Sequence, residues 1–189
     1  MMKKWVSLIA GVLLLVAFAT NARCQAGMDS SYQTDNDSAA IDAAIATFYQ
    51  TLSFTSVDQN RYSNLPQLFT AQGVLISAAG DKPYFWTVQQ YVQLAADNFR
   101  KQKMETWGEQ ETCSQTNVFG KIAQRFSTYK ILYIAAGVET VRSGINAIQL
   151  IKENDKWLIT CVAWDRASDT LPIPPDYNCQ QVQNNAFTQ

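Results

Sequence analysis

The stretch FGKIAQRFSTYKILYIAAGVETVRSGINAIQLIKENDKWLITCVAWD, residues 119–165, decides the fold of this chain of 189 residues. It is rich in β-branched and aromatic residues, which favour strands, and it is interrupted by Gly137, by Gly144 and by the turn sequence at residues 153–155. The polar segment before it has the same extended character. We therefore predict four long antiparallel strands, over residues 104–117, 121–134, 143–152 and 156–165.

Helical spacing of apolar residues dominates the chain before these strands. A first helix is predicted to begin near Ser38, with Asp37 or Ser38 as its N-cap residue. Its buried face is predicted to comprise Ile41, Ala44, Ile45, Phe48, Tyr49 and Leu52.

Two shorter helices are predicted to follow, separated by a strand at residues 73–77. The first has Pro66 in its opening turn and carries Leu65, Leu68 and Phe69. The next begins at Thr87, where Thr87 and Gln90 have the spacing of a capping box. Its apolar stripe comprises Val88, Tyr91, Val92, Ala95 and Phe99.

This order of elements predicts an α+β domain in which three N-terminal helices pack on one face of a curved antiparallel sheet. We place the domain at residues 38–170. Residues 27–37 are polar and are predicted to be disordered. Residues 171–189 contain three prolines and are predicted to form an irregular tail.

Residues 1–26 have the pattern of a secretory signal peptide. Lys3 and Lys4 precede an apolar run, residues 5–18, which is shorter than the roughly 20 residues that a membrane span requires. A retained N-terminal anchor is the alternative interpretation. We predict a periplasmic or secreted protein with no membrane contact after cleavage, which small residues allow after Ala19, Ala22 or Ala26.

Composition excludes several classes of function. The chain has no histidine, which removes Ser-His-Asp and Cys-His catalysis and every zinc site that contains histidine. Its 15 Lys and Arg residues are scattered and balanced by 16 Asp and Glu residues, so a nucleic-acid partner is not expected. We predict neither a metal site nor a cofactor.

Four cysteines offer a disulfide in an exported protein. Cys24, Cys113, Cys161 and Cys179 contain no C-x-x-C pair, so a four-thiolate metal site is not expected. The sequence does not choose among the possible pairings. Cys179 lies in a tail with few other means of attachment, and we predict that it is one partner.

The helices and strands together resemble the nuclear transport factor 2-like superfamily, which includes SnoaL-like and ketosteroid isomerase-like proteins. The segments that carry the resemblance are FYQTL in the first helix, NLPQLFTAQGVLI, FGKIAQRFSTY, SGINAIQLIK and KWLITCVAWD. The resemblance covers residues 36–177 and implies a cone-shaped half-barrel, also called a cystatin-like roll, filled by helices. It implies no single function, because this fold serves isomerases, cyclases, dehydratases and binding proteins.

The isomerase-like members suggest three positions inside the cone. Tyr49 occupies the position of a tyrosine that donates to a developing oxyanion, and Asn146 that of a late-strand acid which shares this role. Ser77 falls where those enzymes place the aspartate that moves the proton, and a serine cannot act as a base there without a histidine. The resemblance therefore implies a pocket that keeps its polar anchors and has lost its proton carrier. For Tyr49 and Asn146 the alternative is an ordinary structural hydrogen bond.

Other carboxylates could supply the missing base. Glu105, Glu109 and Glu111 alternate along one strand and are predicted to share a face with Trp107 and Cys113. If this face lines a cavity, Glu109 beside Trp107 would be a desolvated acid with a raised pKa. If it faces water, the three glutamates are a solvated row.

Two further charged residues lie near the predicted strand ends. Asp165 is a second candidate acid or base, with a turn or ion pair beside Arg166 as the alternative. Arg142 is predicted to lie in a loop before Gly144, either solvated or at the rim of the cavity, where it could meet an anionic ligand.

Two functions are favoured by the sequence, ahead of a third, an interaction protein whose own side chains fill the cavity. The first is an exported homodimeric protein whose aromatic-lined pocket binds a small apolar or carbonyl-containing molecule without catalysis. The second is a SnoaL-like enzyme of the isomerase, cyclase or dehydratase type that uses Glu109 or Asp165 as a general acid or base. In both, the predicted ligand-binding residues are Tyr49, Asn146, Tyr91, Trp107 and Ser77.

Overall fold

A computed structural model describes residues 29–55 and 61–179, with side chains described for residues 36–55 and 62–179. The predicted signal peptide, Cys24 and residues 180–189 lie outside these ranges. Within them, no helix is both long and apolar enough to cross a bilayer.

The described chain forms three helices and six strands, with one short helical turn near its end. The helices are α1 (Asp29–Leu52), a 3-10 helix (Arg61–Leu68) and α2 (Val88–Lys101). The strands are β1 (Phe69–Ser77), β2 (Tyr84–Thr87), β3 (Met104–Phe119), β4 (Ile122–Ala135), β5 (Val138–Glu153) and β6 (Lys156–Arg166). A 3-10 turn (Pro175–Tyr177) follows in the tail.

The strands form one mixed sheet in the order β2-β1-β6-β5-β4-β3. The prediction of an all-antiparallel sheet is wrong at one pair, because β1 and β6 run parallel. The chain builds a β1–β2 pair and a separate β3–β6 meander, and these two units meet edge to edge at β1 and β6. No hairpin connects the two meeting strands, so nothing local sets their relative direction.

Helix α1 begins at Asp29, well before the predicted start near Ser38. Residues 29–37, which the sequence predicts to be disordered, thus belong to this helix, and neither Asp37 nor Ser38 is its N-cap. The Asp37 carboxylate is buried and accepts hydrogen bonds from Lys152 Nζ at 2.7 Å and from Trp157 Nε1 at 3.1 Å. These contacts with the sheet stabilise a polar helical turn whose sequence alone favours no structure.

Helix α2 begins as predicted. Thr87 Oγ1 accepts from the Gln90 N–H at 3.2 Å, and Gln90 Oε1 accepts from the Thr87 N–H at 2.9 Å, which confirms the capping box. The same Thr87 ends β2, a short edge strand that the sequence pattern did not predict. Strand β5 is also longer than predicted, because it begins at Val138 instead of Ser143. Arg142 therefore lies within a strand and not in a loop.

A bulge in β3 between Glu111 and Cys113 changes which side chains share a face. Cys113 lies opposite Thr128 and forms a disulfide with Cys179, whereas Glu111 lies opposite Tyr129. The prediction that Cys113 shares a face with the glutamates is thus wrong, because the inserted residue reverses the alternation.

The disulfide confirms Cys179 as a bonded cysteine and attaches the tail to the outer side of the sheet. Thr128 Oγ1 donates to the Tyr177 carbonyl at 2.7 Å, and the Phe126 and Tyr177 rings lie 5.6 Å apart. Cys161 has no disulfide partner within residues 36–55 and 62–179.

Candidate functional site

A cavity of about 280 Å³ lies between the helices and the inner face of the sheet. Its volume is close to the lower end of the range of about 300–1,000 Å³ for small-molecule pockets. Nine aromatic rings lie among the described residues of its wall: Phe48, Tyr62, Trp86, Tyr91, Phe99, Trp107, Tyr129, Tyr133 and Trp164. The polar side chains of the wall include Ser77, Glu109, Arg142, Asn146 and Arg166.

Glu109 is the only carboxylate among the described side chains that line this cavity. It is partly buried, and desolvation raises its pKa to about 7. Hydrogen bonds from the side chains of Trp107 and Asn146 oppose this rise, and the Trp107 Nε1–Oε2 distance is 3.2 Å. A carboxyl group with this pKa is divided between its acid and base forms near neutral pH.

The backbone of Glu109 is fixed by the residue that follows α1. Ser53 Oγ accepts from the Glu109 N–H at 2.9 Å and donates to the Glu109 carbonyl at 3.0 Å. Phe54 and Trp107 exchange backbone hydrogen bonds of 2.6 and 2.9 Å beside it. These contacts connect the end of α1 to β3 at the point where Glu109 enters the cavity.

Tyr49 and Asn146 lie together, as the resemblance to the isomerases implies. Asn146 Nδ2 donates to Tyr49 Oη at 2.9 Å, and Tyr49 Oη lies 2.6 Å from Ser127 Oγ. Tyr49 is buried and is not among the described side chains that line the cavity, whereas Asn146 is. Burial raises the pKa of Tyr49, so its hydroxyl is neutral. The Tyr49 hydroxyl is therefore a buried hydrogen-bond partner of Asn146 and is not part of the described cavity wall.

Replacing Tyr49 with phenylalanine is expected to destabilise the fold by about 1–3 kcal/mol, because Asn146 and Ser127 lose a buried partner. Urea unfolding followed by tryptophan fluorescence measures the change. Tyr84→Phe is the control, since that ring is 59% exposed. A variant that loses ligand affinity while keeping its stability would instead place the Tyr49 hydroxyl on the ligand.

The network behind Tyr49 continues to the surface of α1. Ser127 Oγ donates to Glu111 Oε2 at 2.5 Å, and Arg125 Nε donates to the same oxygen at 2.9 Å. Arg125 Nη1 reaches Asp42 of α1 at 2.7 Å and Thr116 Oγ1 at 2.8 Å. The interpretation of a solvated glutamate row thus fits only Glu105, which is exposed. Sequence reasoning missed Arg125 and Ser127.

Tyr91 and Ser77 both line the cavity, at its β1–α2 side. Next to them, Trp86 stacks on Trp164 with ring centroids 6.0 Å apart and planes inclined by 16°. The centroid of the Tyr91 ring lies 6.2 Å from that of Trp86 and 6.0 Å from that of Trp164. Trp86 was missed because it belongs to the unpredicted strand β2. Alternation along GVLIS and KWLITCVAWD could have indicated that Trp164 shares a face with Ser77.

Asp165 is not brought into the cavity. Its side chain is exposed, and Asp165 Oδ1 accepts from the backbone N–H of Arg166 at 2.7 Å. Its neighbours Trp164 and Arg166 line the cavity instead, as alternation along β6 requires. Asp165, a candidate acid or base, therefore lies outside the cavity: its exposed carboxylate binds the backbone N–H of the next residue in β6.

Glu109 is expected to make stability fall as pH rises. Its pKa is 4.5 in its ordinary state and about 7 in the folded protein, so between these pH values the unfolded chain releases a proton that the folded chain keeps. The contribution of Glu109 to the free energy of unfolding is therefore complete below pH 4.5 and is lost by pH 7–8. The change is up to about 3 kcal/mol. Urea unfolding at pH 5 and pH 8 measures this effect. The free energy of unfolding should decrease less between these pH values in Glu109→Gln than in the wild type. Equal decreases in the two proteins would contradict the raised pKa.

Metal binding finds no support among the described side chains. Within residues 36–55 and 62–179, no three Cys, Asp or Glu side chains are grouped so that they could hold a metal ion.

Comparison with known proteins gives a match at the level of structure. No family model matches the chain, and no curated protein matches its sequence. A proposed scytalone dehydratase from Novosphingobium aromaticivorans superposes with a TM-score of 0.60 and 11% identity, over 73% of this chain and 89% of that one. A proposed dehydratase of the nuclear transport factor 2-like family from Streptomyces avermitilis superposes with a TM-score of 0.54 and 15% identity. The match covers 70% of this chain and 97% of that one.

A ligand complex is among the similar structures. A protein from Catenulispora acidiphila, solved in complex with S-DNPA, superposes with a TM-score of 0.57 and 15% identity, over 70% of this chain and 94% of that one. At these identities the likeness is one of fold. The chain therefore has the fold of the nuclear transport factor 2-like superfamily, which confirms the resemblance carried by its sequence segments.

Proposed function

We propose that the cavity binds a small, flat, aromatic or carbonyl-containing molecule and that Glu109 exchanges a proton with it. The observation that carries this proposal is the position of Glu109 in an aromatic wall, where its pKa is about 7. A general base works best when its pKa is near the working pH. The position of Glu109 thus supports the second of the two functions that the sequence favours, an isomerase- or dehydratase-type enzyme, as our first proposal.

The proposed step is the removal of a proton next to a carbonyl group. The C–H bond breaks, its proton passes to the Glu109 carboxylate, and its electron pair moves to the carbonyl oxygen as an enolate. The hydroxyls of Tyr91 and Tyr129 belong to the same cavity wall, and burial raises the pKa of both, so they are neutral donors for such an oxygen. In a β,γ-unsaturated ketone, return of the proton to the γ-carbon of the dienolate gives isomerisation. In a β-hydroxy ketone, the enolate re-forms its carbonyl and expels the β-hydroxyl, which takes the proton from Glu109 and leaves as water, which gives dehydration.

Binding without catalysis is the second candidate function. It is favoured by Ser77, which lines the cavity where the resemblance places the proton-moving aspartate and cannot replace it. In this case Glu109 would be a polar anchor that donates a hydrogen bond when protonated.

We also propose that the protein acts outside the cytoplasm, in the periplasm or after secretion. The Cys113–Cys179 disulfide supports this, because such bonds persist in oxidising compartments. The N-terminal pattern of basic residues and an apolar run agrees with it. A homodimer, predicted from the resemblance, remains part of the proposal.

The test uses a small bicyclic ketone, 2-tetralone, in D₂O. Proton NMR measures how fast its α-hydrogens exchange for deuterium with and without protein. The proposal expects a protein-dependent rate that rises with pH and levels off above a midpoint near 7, since only the carboxylate form of Glu109 accepts a proton. Binding of 2-tetralone, seen as quenched tryptophan fluorescence, without any added exchange would support the non-catalytic function instead.

A further inference from the structure

Two arginines share the wall of the cavity with Glu109. Arg142 lies on β5, and Arg166 lies at the end of β6, where it pairs in register with Gly144. Residues 142 and 144 of a strand face the same side, so the two arginines are diagonal neighbours on the inner face of the sheet. Arg142 has this position because β5 begins at Val138, earlier than the sequence predicts.

Neither guanidinium forms an ion pair with a carboxylate of residues 36–55 or 62–179. The ion pairs formed by side chains of residues 36–55 and 62–179 involve Arg100, Arg125 and Lys152, and not Arg142 or Arg166. Asp165 directs its carboxylate to a backbone N–H. Arg142 lies over the Tyr133 ring, with its guanidinium carbon 5.2 Å from the ring centroid, as in a cation–π contact.

The phenol of Tyr129 belongs to the same group. Both arginines act on its pKa through their charge, but desolvation is the larger effect and raises that pKa to about 12. Its hydroxyl donates a long hydrogen bond, 3.3 Å, to the Asp165 carbonyl. Gly144 makes room for it: a Cβ there would lie 2.4 Å from Tyr129 Oη and 2.2 Å from the Asp165 carbonyl oxygen.

Charge in the cavity is therefore unbalanced. Two guanidiniums face one carboxyl group, which is itself partly protonated at neutral pH. The pKa of Glu109 is set by desolvation and by hydrogen bonds from Trp107 and Asn146, so the carboxyl group is not paired with either arginine. The cavity has a cationic side and an acid–base side, joined by aromatic rings.

We propose that Arg142, Arg166 and Tyr129 form a carboxylate subsite, and that the ligand is an aromatic or carbonyl compound that carries a carboxylate. Guanidinium groups bind carboxylates through paired N–H donors, and a neutral phenol adds a third donor. The subsite would hold one end of the ligand while the rest lies against Trp86 and Trp164. This inference rests on the proposed function, since it assigns the ligand of the same cavity.

The test compares two probes of the same shape, 2-naphthoate and 2-naphthamide, by quenching of tryptophan fluorescence at pH 7.5. The wild type is expected to bind the acid at least about tenfold more tightly than the amide, because hydrogen bonds to charged groups are the strong ones. Arg142→Gln and Arg166→Gln should each lose most of this preference. Arg166 is exposed, so its substitution does not depend on the core remaining intact.

Lys130→Gln is the matched control. It removes one positive charge from an exposed side chain of β4 and should keep the preference for the acid. Equal affinity of the wild type for acid and amide would overturn the carboxylate subsite and leave the proposed function standing. A preference retained in both arginine variants, or lost equally in Lys130→Gln, would also overturn it. Failure of the wild type to bind either probe would count against both proposals.

Discussion

Glu109→Gln is expected to slow the protein-dependent α-exchange of 2-tetralone by about 10²–10⁴-fold, the usual contribution of a general acid or base. Glutamine keeps the shape of the side chain but cannot accept the proton. The loss should fall on kcat and not on KM, because the aromatic wall that holds the ketone is unchanged. The midpoint near pH 7 should vanish from the residual rate.

Glu105→Gln is the matched control for this variant. Glu105 lies on the same strand and is exposed, and its Oε1 accepts from the Gly137 N–H at 2.8 Å, which the amide oxygen of glutamine can also do. Exchange in this variant should match that of the wild type. An unchanged rate in Glu109→Gln would remove Glu109 from the reaction and favour the non-catalytic function.

Much of the fold could be predicted from local patterns because local interactions determine those parts. The capping box at Thr87 and the turn at residues 153–155 act over a few residues, and both are where the sequence places them. Contacts distant in sequence determine the remainder. The parallel pairing of β1 with β6 depends on how two separate units meet, and the early start of α1 depends on Lys152 and Trp157, which bind Asp37 from the sheet.

The site was predictable as far as strict alternation along a strand holds. Trp107 and Glu109 both line the cavity, and the alternation in METWGEQET is the signal for it. The bulge after Glu111 ends that alternation, and no residue type at the bulge indicates it. Arg142 was misplaced because glycine at position 144 indicates a break in a strand, whereas here it admits the Tyr129 ring.

Two carboxylates of α1, Asp37 and Asp42, reach basic side chains of the sheet. The one at Asp42 belongs to a chain of hydrogen bonds that runs through Arg125, Glu111, Ser127 and Tyr49 to Asn146. Asn146 lines the cavity and hydrogen-bonds to Glu109. The charge network that docks the first helix therefore also holds the polar side of the cavity in place.

Arg125→Met is expected to destabilise the fold by about 3–5 kcal/mol, the usual cost of removing one partner from a buried ion pair. The Arg125 side chain is 8% exposed, and it binds Glu111 with two of its nitrogens. Without it, the Glu111 carboxylate, 21% exposed, keeps only the Ser127 hydroxyl as a donor among these contacts. Urea unfolding measures the change. Arg100→Gln is the control: that arginine pairs with Asp97 on the surface, so its loss should cost no more than about 1 kcal/mol.

A double variant, Arg125→Met with Glu111→Leu, separates the loss of the pair from the burial of an isolated charge. It should recover most of the stability, because exchanging a whole buried ion pair for apolar side chains is often neutral. It should not recover the geometry of the cavity, since Ser127 then has no carboxylate to bind and the Tyr49–Asn146 contact loses its support. A double variant as unstable as Arg125→Met alone would show that packing at this site, and not the uncompensated Glu111 charge, determines the loss.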